Sequence, residues 1–105
     1  MTELVDTFAA LSDPTRLAVV ARLSASPCRS SDLAEAMDVS RPAMSRHLRI
    51  LRRAGLVEEE IQEDDARVRL YRLKKDRFSE ARAWIEDVEA FWDPSWPSSV
   101  AGGEI

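Results

Sequence analysis

The segment from Ser40 to Val57, SRPAMSRHLRILRRAGLV, constrains the fold more than any other part of the sequence. Ser40 is a suitable N-cap, and Pro42 stands in the first turn, where its missing N–H would have no helical partner. Gly55 suits the left-handed residue that ends many helices. These signals predict a short helix with well-defined ends, followed by a strand.

The predicted helix has two faces of opposite character. At about 100° per residue, Met44, Leu48 and Leu51 fall on one side and are expected to enter the core. The residues expected on the opposite, outward face are Pro42, Ser45, Arg46, Arg49 and Arg53.

Positive charge is concentrated on this helix, although the whole chain has a formal net charge of -4. Five arginines lie between Arg41 and Arg53, and the segment has no acidic residue. Like charges at helical spacing repel one another, whereas guanidinium groups pair well with phosphate and with the O6/N7 edge of guanine. We therefore interpret the helix as one that binds duplex DNA in the major groove. The alternative, a solvated basic face, stays open at this point.

Three further helices are predicted before this one, over residues 2–11, 14 to about 24, and 30 to about 37. Asp13 and Pro14 fit the start of the second helix, whose apolar residues, including Leu17, indicate a well-buried element. Ser30, Ser31 and Asp32 offer N-cap oxygens to the third. Two short helices joined by a turn, the second basic on its outer face, form a helix-turn-helix.

A β-hairpin is predicted after Gly55, with strands over 56–61 and 67–73 and a polar loop between them. Apolar residues of the second strand occupy both parities, which indicates a bulge or a strand that is covered on both sides. The loop is acidic, so we assign contact with phosphate to Arg67 or Arg69.

A last helix is predicted from a cap at Asp76 to about Trp92, with a wide apolar stripe. Its large aromatic residues favour a partner interface, and packing on the chain's own core is the alternative. Residues 93–105 have little periodicity and are predicted to be an irregular or disordered tail. The expected organisation is thus one domain over 1–92 followed by the tail.

Composition excludes several classes of protein. With 32% charged residues and only short apolar runs, neither a membrane span nor a secretion signal is expected, so we predict a cytoplasmic protein. The single cysteine, Cys28, rules out an internal disulfide and a thiolate metal cluster built from one chain. One histidine, one cysteine and no glycine-rich phosphate loop offer no plausible catalytic pair, so catalytic residues are not predicted.

Several segments together resemble the ArsR/SmtB family of winged-helix repressors. They are FAALSDPTRLAVVARL, SSDLAEAMDVSRPAMSRHLRILRRAGLV, RLYRL and the aromatic end of the last helix. The resemblance implies a mainly α fold with a small β-hairpin: a winged helix-turn-helix of about five helices plus a two-stranded wing. It also implies a homodimer formed by the first and last helices, binding to an operator, and release of DNA when an effector binds.

The resemblance and the helix faces together select the candidate site residues. Those predicted to contact DNA are Ser40, Arg41, Pro42, Ser45, Arg46, His47, Arg49, Arg53, Arg67 and Arg69. Those predicted to form the dimer are Leu4, Phe8, Trp84, Val88, Phe91 and Trp92. His47 accompanies the DNA-contacting serine in the family motif, so we assign it to a phosphate or structural contact and not to a metal.

The sequence departs from the family's metal sensors, because Cys28 has no partner in its chain and the last helix has no histidine. No cofactor and no metal ligand are therefore predicted. A homodimeric, effector-responsive repressor is the first hypothesis, with a small effector or a protein antagonist unidentified. The alternatives are a sensor of a divalent metal or of thiol oxidation with a site between subunits, and a winged-helix module that docks a protein.

Overall fold

The computed structural model describes residues 2–61 and 68–92, which form five α-helices and a three-stranded antiparallel sheet. The elements in chain order are α1 Thr2–Leu11, α2 Pro14–Leu23, β1 Cys28–Arg29, α3 Ser30–Ala36, α4 Arg41–Arg53, β2 Val57–Ile61, β3 Arg69–Leu73 and α5 Lys75–Ala90. This is the predicted winged helix-turn-helix. The predicted loop at 62–66, Arg67 and the predicted tail lie outside the described residues.

Helix α2 begins as predicted, because the Asp13 carboxylate accepts a hydrogen bond from the backbone N–H of Arg16 at 3.1 Å. Fewer of its apolar residues are buried than predicted. Val19 and Leu23 are buried, but Leu17 is 53% exposed. Apolar residues around much of a short helix therefore do not all enter the core, since only one side of α2 faces α4 and the sheet.

The turn between α3 and α4 is tight. Asp38 adopts a left-handed conformation with φ of 54°, and the N–H of Val39 donates to the carbonyl of Ala34 at 3.0 Å. The serines at the start of α3 do not cap it: the N-cap position is Arg29, and its side chain makes no capping hydrogen bond. That prediction was wrong because the chain enters α3 directly from a strand.

Helix α4 has the predicted boundaries and the predicted buried face. The Ser40 hydroxyl accepts from the N–H of Ala43 at 3.2 Å, and Gly55 has φ of 80° just beyond the helix. A Cβ at Gly55 would lie 3.3 Å from Cγ of Arg77, so the glycine also allows a close approach of α5. Met44, Leu48 and Leu51 are fully buried in the core.

The sheet has one strand more than predicted, in the order β1-β3-β2. Cys28 pairs with Tyr71, and Val57 pairs with Leu73 across the hairpin. A strand of two residues has too little periodicity to be recognised in the sequence. The β2–β3 register is continuous from Val57 to Ile61, so the apolar residues of both parities in β3 reflect a two-sided strand and not a bulge within this ladder.

Helix α5 starts one residue before the predicted cap, and Asp76 lies in its first turn; the N-cap position is Lys74, without a capping side chain. The helix ends at Ala90, slightly earlier than predicted. It packs against α1, where the rings of Phe8 and Trp84 meet edge to face at 5.6 Å between centroids. No helix among the described residues is long and apolar enough to cross a membrane.

Candidate nucleic-acid interface

The outward side of α4 carries exposed arginines. Arg46, Arg49 and Arg53 lie opposite the buried residues, and Arg41 is exposed at the first residue of the helix; we call these four the arginine face. Within residues 2–61 and 68–92, none of the four pairs with a carboxylate. The buried residues of α4 lie on the other side, so packing holds the helix and leaves these guanidinium groups in solvent. Such a surface attracts a polyanion.

The polar residues predicted beside the arginines differ in how available they are. Pro42 and Ser45 are exposed. Ser45 and Arg49 line a notch of about 290 Å³ between α4 and Tyr71 of β3. The hydroxyl of Ser40 already accepts a hydrogen bond from its own helix, so it has a structural role whether or not it also contacts DNA.

His47 is turned toward α2 rather than outward. The guanidinium of Arg16 lies 3.2 Å from Nδ1 of His47 and also donates to the carbonyl of Ala10 at 2.6 Å. Asp13 lies 3.9 Å from the same Nδ1. A backbone hydrogen bond from Arg16 holds the pKa of Asp13 below its usual range, and the charge of Arg16 adds to it. These contacts favour a structural role for His47, one of the two roles predicted for it.

Arg53 stands at the edge of the arginine face, beside α1. It lines a groove of about 440 Å³ together with Arg16 and Ile50 and with Asp6 and Ala9 of α1. The groove is open to solvent, so the Arg53 side chain keeps its charge exposed. Its position is peripheral compared with those of Arg46 and Arg49.

A second group of cations is tied to one carboxylate. Glu59 accepts hydrogen bonds from Arg52 at 2.8 Å, from Arg69 and from the Tyr71 hydroxyl at 3.0 Å. We call these four residues the Glu59 cluster; it joins the end of α4 to the β2–β3 hairpin. Arg69 was predicted to contact phosphate, and the structure shows it paired within the chain.

The pKa shifts in the Glu59 cluster follow from these contacts. Burial would raise the pKa of Glu59, but hydrogen bonds from Arg69 and Tyr71 and the charges of Arg69 and Arg52 hold it below its usual range. Burial and the hydrogen bond to Glu59 raise the pKa of Tyr71. Glu59 is therefore ionised at neutral pH and keeps both guanidinium groups partly neutralised.

Sequence reasoning does not single out Glu59, which lies in a run of acidic residues. The register of the hairpin is the feature that identifies it, because Glu59 pairs with Tyr71 and shares a side of the sheet with Arg69. On the other side, Arg72 pairs with Glu58 at 2.8 Å and with Glu60 at 3.3 Å.

An apolar surface lies on α5 and α1. Of the residues predicted to form the dimer, Leu4 is partly buried and Phe8 is 37% exposed. The exposed apolar residues of α5 and its end are Trp84, Ile85, Val88, Phe91 and Trp92. Phe91, at 87%, is the most exposed of them. Adjacent exposed aromatic side chains of this kind are typical of a protein interface.

Among the described residues, no group of three or more His, Cys, Asp or Glu side chains is arranged to hold a metal ion. Cys28 is buried, and its thiol lies 3.6 Å from the carbonyl oxygen of Ser26. This is the environment of a small core residue.

Helices α2, α3 and α4 form a helix-turn-helix, and the β2–β3 hairpin follows it as a wing. The second helix of the motif, α4, carries exposed arginines. This combination defines a winged helix-turn-helix DNA-binding protein. A family model described as a helix-turn-helix domain matches residues 11–60, which include α2, α3 and α4.

Known proteins identify the family. An HTH-type transcriptional regulator of Mycobacterium tuberculosis, Rv2034, is 37% identical over 83 residues, which are 79% of this chain and 72% of that protein. The crystal structure of an ArsR family transcriptional regulator superposes with a TM-score of 0.78 at 33% identity, covering 89% of this chain and 93% of that one. The transcriptional repressor SdpR of Bacillus subtilis is 36% identical over 52 residues, 50% of this chain and 58% of that protein. The chain belongs to the ArsR family of helix-turn-helix transcriptional regulators.

Proposed function

We propose that the protein is a homodimeric transcriptional repressor that binds a specific operator by placing α4 in the major groove. The observation that carries this proposal is the arginine face, in which Arg46 and Arg49 project from the side of α4 opposite its buried residues. The planar guanidinium group of arginine pairs with both phosphate oxygens and guanine edges, so the arginine face supplies both affinity for DNA and selectivity among sequences.

The apolar surface of α1 and α5 supports the dimer. Trp84, Val88 and Phe91 present apolar area to solvent on α5 and at its end. A symmetric pair joined through this surface would present two copies of α4, and such dimers read half-sites about 34 Å apart, one turn of DNA. We infer that Leu4, Phe8, Trp84, Val88, Phe91 and Trp92 contribute to it.

Repression and control by an effector are the finer parts of the proposal. SdpR, one of the similar proteins, is named as a transcriptional repressor. We propose that this chain acts in the cytoplasm, where it occludes a promoter and is released by a small effector or a protein antagonist. The two subunits of a dimer would also bring together groups that one chain holds apart, so divalent metals and oxidants belong in the test.

The test is a titration of the purified protein against its own upstream promoter duplex and against a scrambled duplex of equal length. Each titration is run with and without a panel of divalent metals and an oxidant, and light scattering gives the mass of the complex. We expect a dimer to bind the promoter duplex tightly and the scrambled duplex more weakly. If the effector is a divalent metal or an oxidant, the corresponding additive should release the promoter duplex.

Equal affinity for both duplexes would overturn the sequence-specific part of the proposal. Tight binding of the promoter duplex by a single subunit would overturn the proposed dimer. A stable complex with another protein, together with absence of binding to promoter DNA, would establish the docking module that the exposed aromatic residues of α5 also fit.

A further inference from the structure

The arginines near the proposed DNA surface fall into two groups with different electrostatic states. Arg46 and Arg49 have no carboxylate partner among the described residues, whereas Arg52 and Arg69 share the carboxylate of Glu59. The two groups adjoin, because Arg49 and Arg52 line the same notch between α4 and Tyr71. A phosphate that reaches Arg49 would therefore pass close to Arg52.

Glu59 is well placed to hold its partners. Its side chain is 16% exposed, while the side chains of Arg52 and Arg69 are 56% and 54% exposed. The carboxylate is thus largely shielded from solvent at the centre of the cluster, and the two guanidinium groups around it are accessible to solvent. The Tyr71 hydroxyl adds a third hydrogen bond from the sheet and fixes the carboxylate between α4 and the hairpin.

We propose that Glu59 is a specificity-determining residue that withholds Arg52 and Arg69 from the DNA backbone. Contacts with phosphate carry affinity for any sequence, whereas contacts with base edges discriminate among sequences. By occupying two exposed arginines, Glu59 limits the affinity for random DNA and leaves discrimination to the arginine face. This inference rests on the proposed binding of DNA by α4.

The hairpin contains a matched control for this proposal. Glu60 is the next residue of β2, and Glu60→Gln removes the same charge as Glu59→Gln. Its partner, Arg72, remains held by Glu58 at 2.8 Å, so no guanidinium is released in the control. Glu60 also lies on the other side of the sheet from Glu59.

The experiment measures binding of the full chain to a scrambled duplex over a series of salt concentrations. We expect Glu59→Gln to bind this duplex roughly fivefold more tightly than Glu60→Gln, with a salt slope steeper by about 0.9 for each of the two released guanidinium groups, Arg52 and Arg69, that reaches a phosphate. The ratio of promoter to scrambled affinity should fall in Glu59→Gln and stay near that of the parent in Glu60→Gln. A purely structural role for Glu59 predicts weaker binding to both duplexes.

Equal salt slopes for the two variants, or weaker binding of Glu59→Gln to both duplexes, would overturn the proposal. A double variant separates release of Arg52 from a change in folding: Arg52→Gln added to Glu59→Gln should remove part of the increase in affinity for scrambled DNA. If it removes none and Arg69→Gln removes none either, the proposal fails.

Failure of the proposed function would look different. If the parent protein bound promoter and scrambled duplexes equally, the comparison of Glu59→Gln with Glu60→Gln on scrambled DNA would still report on the Glu59 cluster. If the parent protein bound neither duplex, both proposals would fail.

Discussion

The outer side of α4 and the β2–β3 hairpin are both rich in arginine, but they use it differently. On α4, Arg46 and Arg49 stand free of carboxylates in the described parts of the chain. In the hairpin, Arg69 is bound to Glu59, and Arg72 is bound to Glu58 and Glu60. Strand β3 has two arginines in five residues and α4 has five in thirteen. Both arginines of β3 are paired with carboxylates, whereas Arg46 and Arg49 have no such partner among the described residues.

This difference follows from secondary structure. A helix with a buried apolar face presents its remaining side chains to solvent, and α4 has no acidic residue to pair with them. A hairpin places residues of two strands opposite one another, so the glutamates of β2 meet the arginines of β3. The acidic strand β2 therefore neutralises the arginines of β3 and, through Glu59, Arg52 at the end of α4, whereas Arg46 and Arg49 have no carboxylate partner among the described residues.

The largest expected effect concerns the support beneath the arginine face. Leu48 is 1% exposed in the core, and Leu48→Ala should lower the free energy of unfolding by about 2–5 kcal/mol, because apolar burial decreases and a cavity is left behind. Ile50, on the same helix, is 41% exposed, and Ile50→Ala should cost less than about 1 kcal/mol. Urea denaturation of both variants measures the difference, and similar destabilisation by the two substitutions would contradict the assigned faces of α4.

The next effect concerns the arginine face itself. Arg46→Ala combined with Arg49→Ala should weaken binding to the promoter duplex, and the salt slope should decrease by about 0.9 for each phosphate that the variant no longer neutralises. Fluorescence anisotropy over a series of salt concentrations measures both quantities.

The control for that variant removes two charges elsewhere. Arg22 and Arg82 are exposed residues of α2 and α5, and Arg82 pairs with Glu86 at 2.9 Å. Arg22→Ala combined with Arg82→Ala should leave the slope nearly unchanged. An equal decrease in affinity in the two double variants would mean that net charge, and not the arginine face, determines binding.

The smallest expected effect is the pH dependence of the stability that Glu59 contributes. The pKa of Glu59 is lowered in the folded protein, so its contribution to stability is full above its unfolded pKa of about 4.3. That contribution disappears as the pH falls through the lowered folded value. Thermal unfolding between neutral and acid pH should therefore show a shallower acid decline for Glu59→Gln than for the parent. A decline of unchanged steepness would contradict the pairing of Glu59.

Much of α4 was predictable because its determinants are local. The Ser40 cap, the end of the helix at Gly55 and the burial of Leu48 depend on residues within a few turns of one another, and all three predictions are confirmed. Family resemblance supplied the fold, and the structure and the comparisons confirm it. The roles in DNA binding and dimer formation stay predictions.

Features that depend on distant residues were not predictable. The strand at Cys28 exists because Tyr71 pairs with it, and the Glu59 cluster exists because the register places Glu59 beside residues of another strand and of α4. The exposure of Leu17 likewise depends on which elements surround α2, so periodicity alone gave the wrong answer there.

The most direct test of the contrast between the arginine face and the paired arginines is an NMR titration that follows each Nε–H of the arginine side chains as promoter duplex is added. We predict that the resonances of Arg46 and Arg49 shift strongly, and that Arg72, whose Nε donates to Glu58 at 2.8 Å, is nearly unaffected. Shifts concentrated at Arg72, with Arg46 and Arg49 unchanged, would contradict the assignment of α4 as the DNA-binding element.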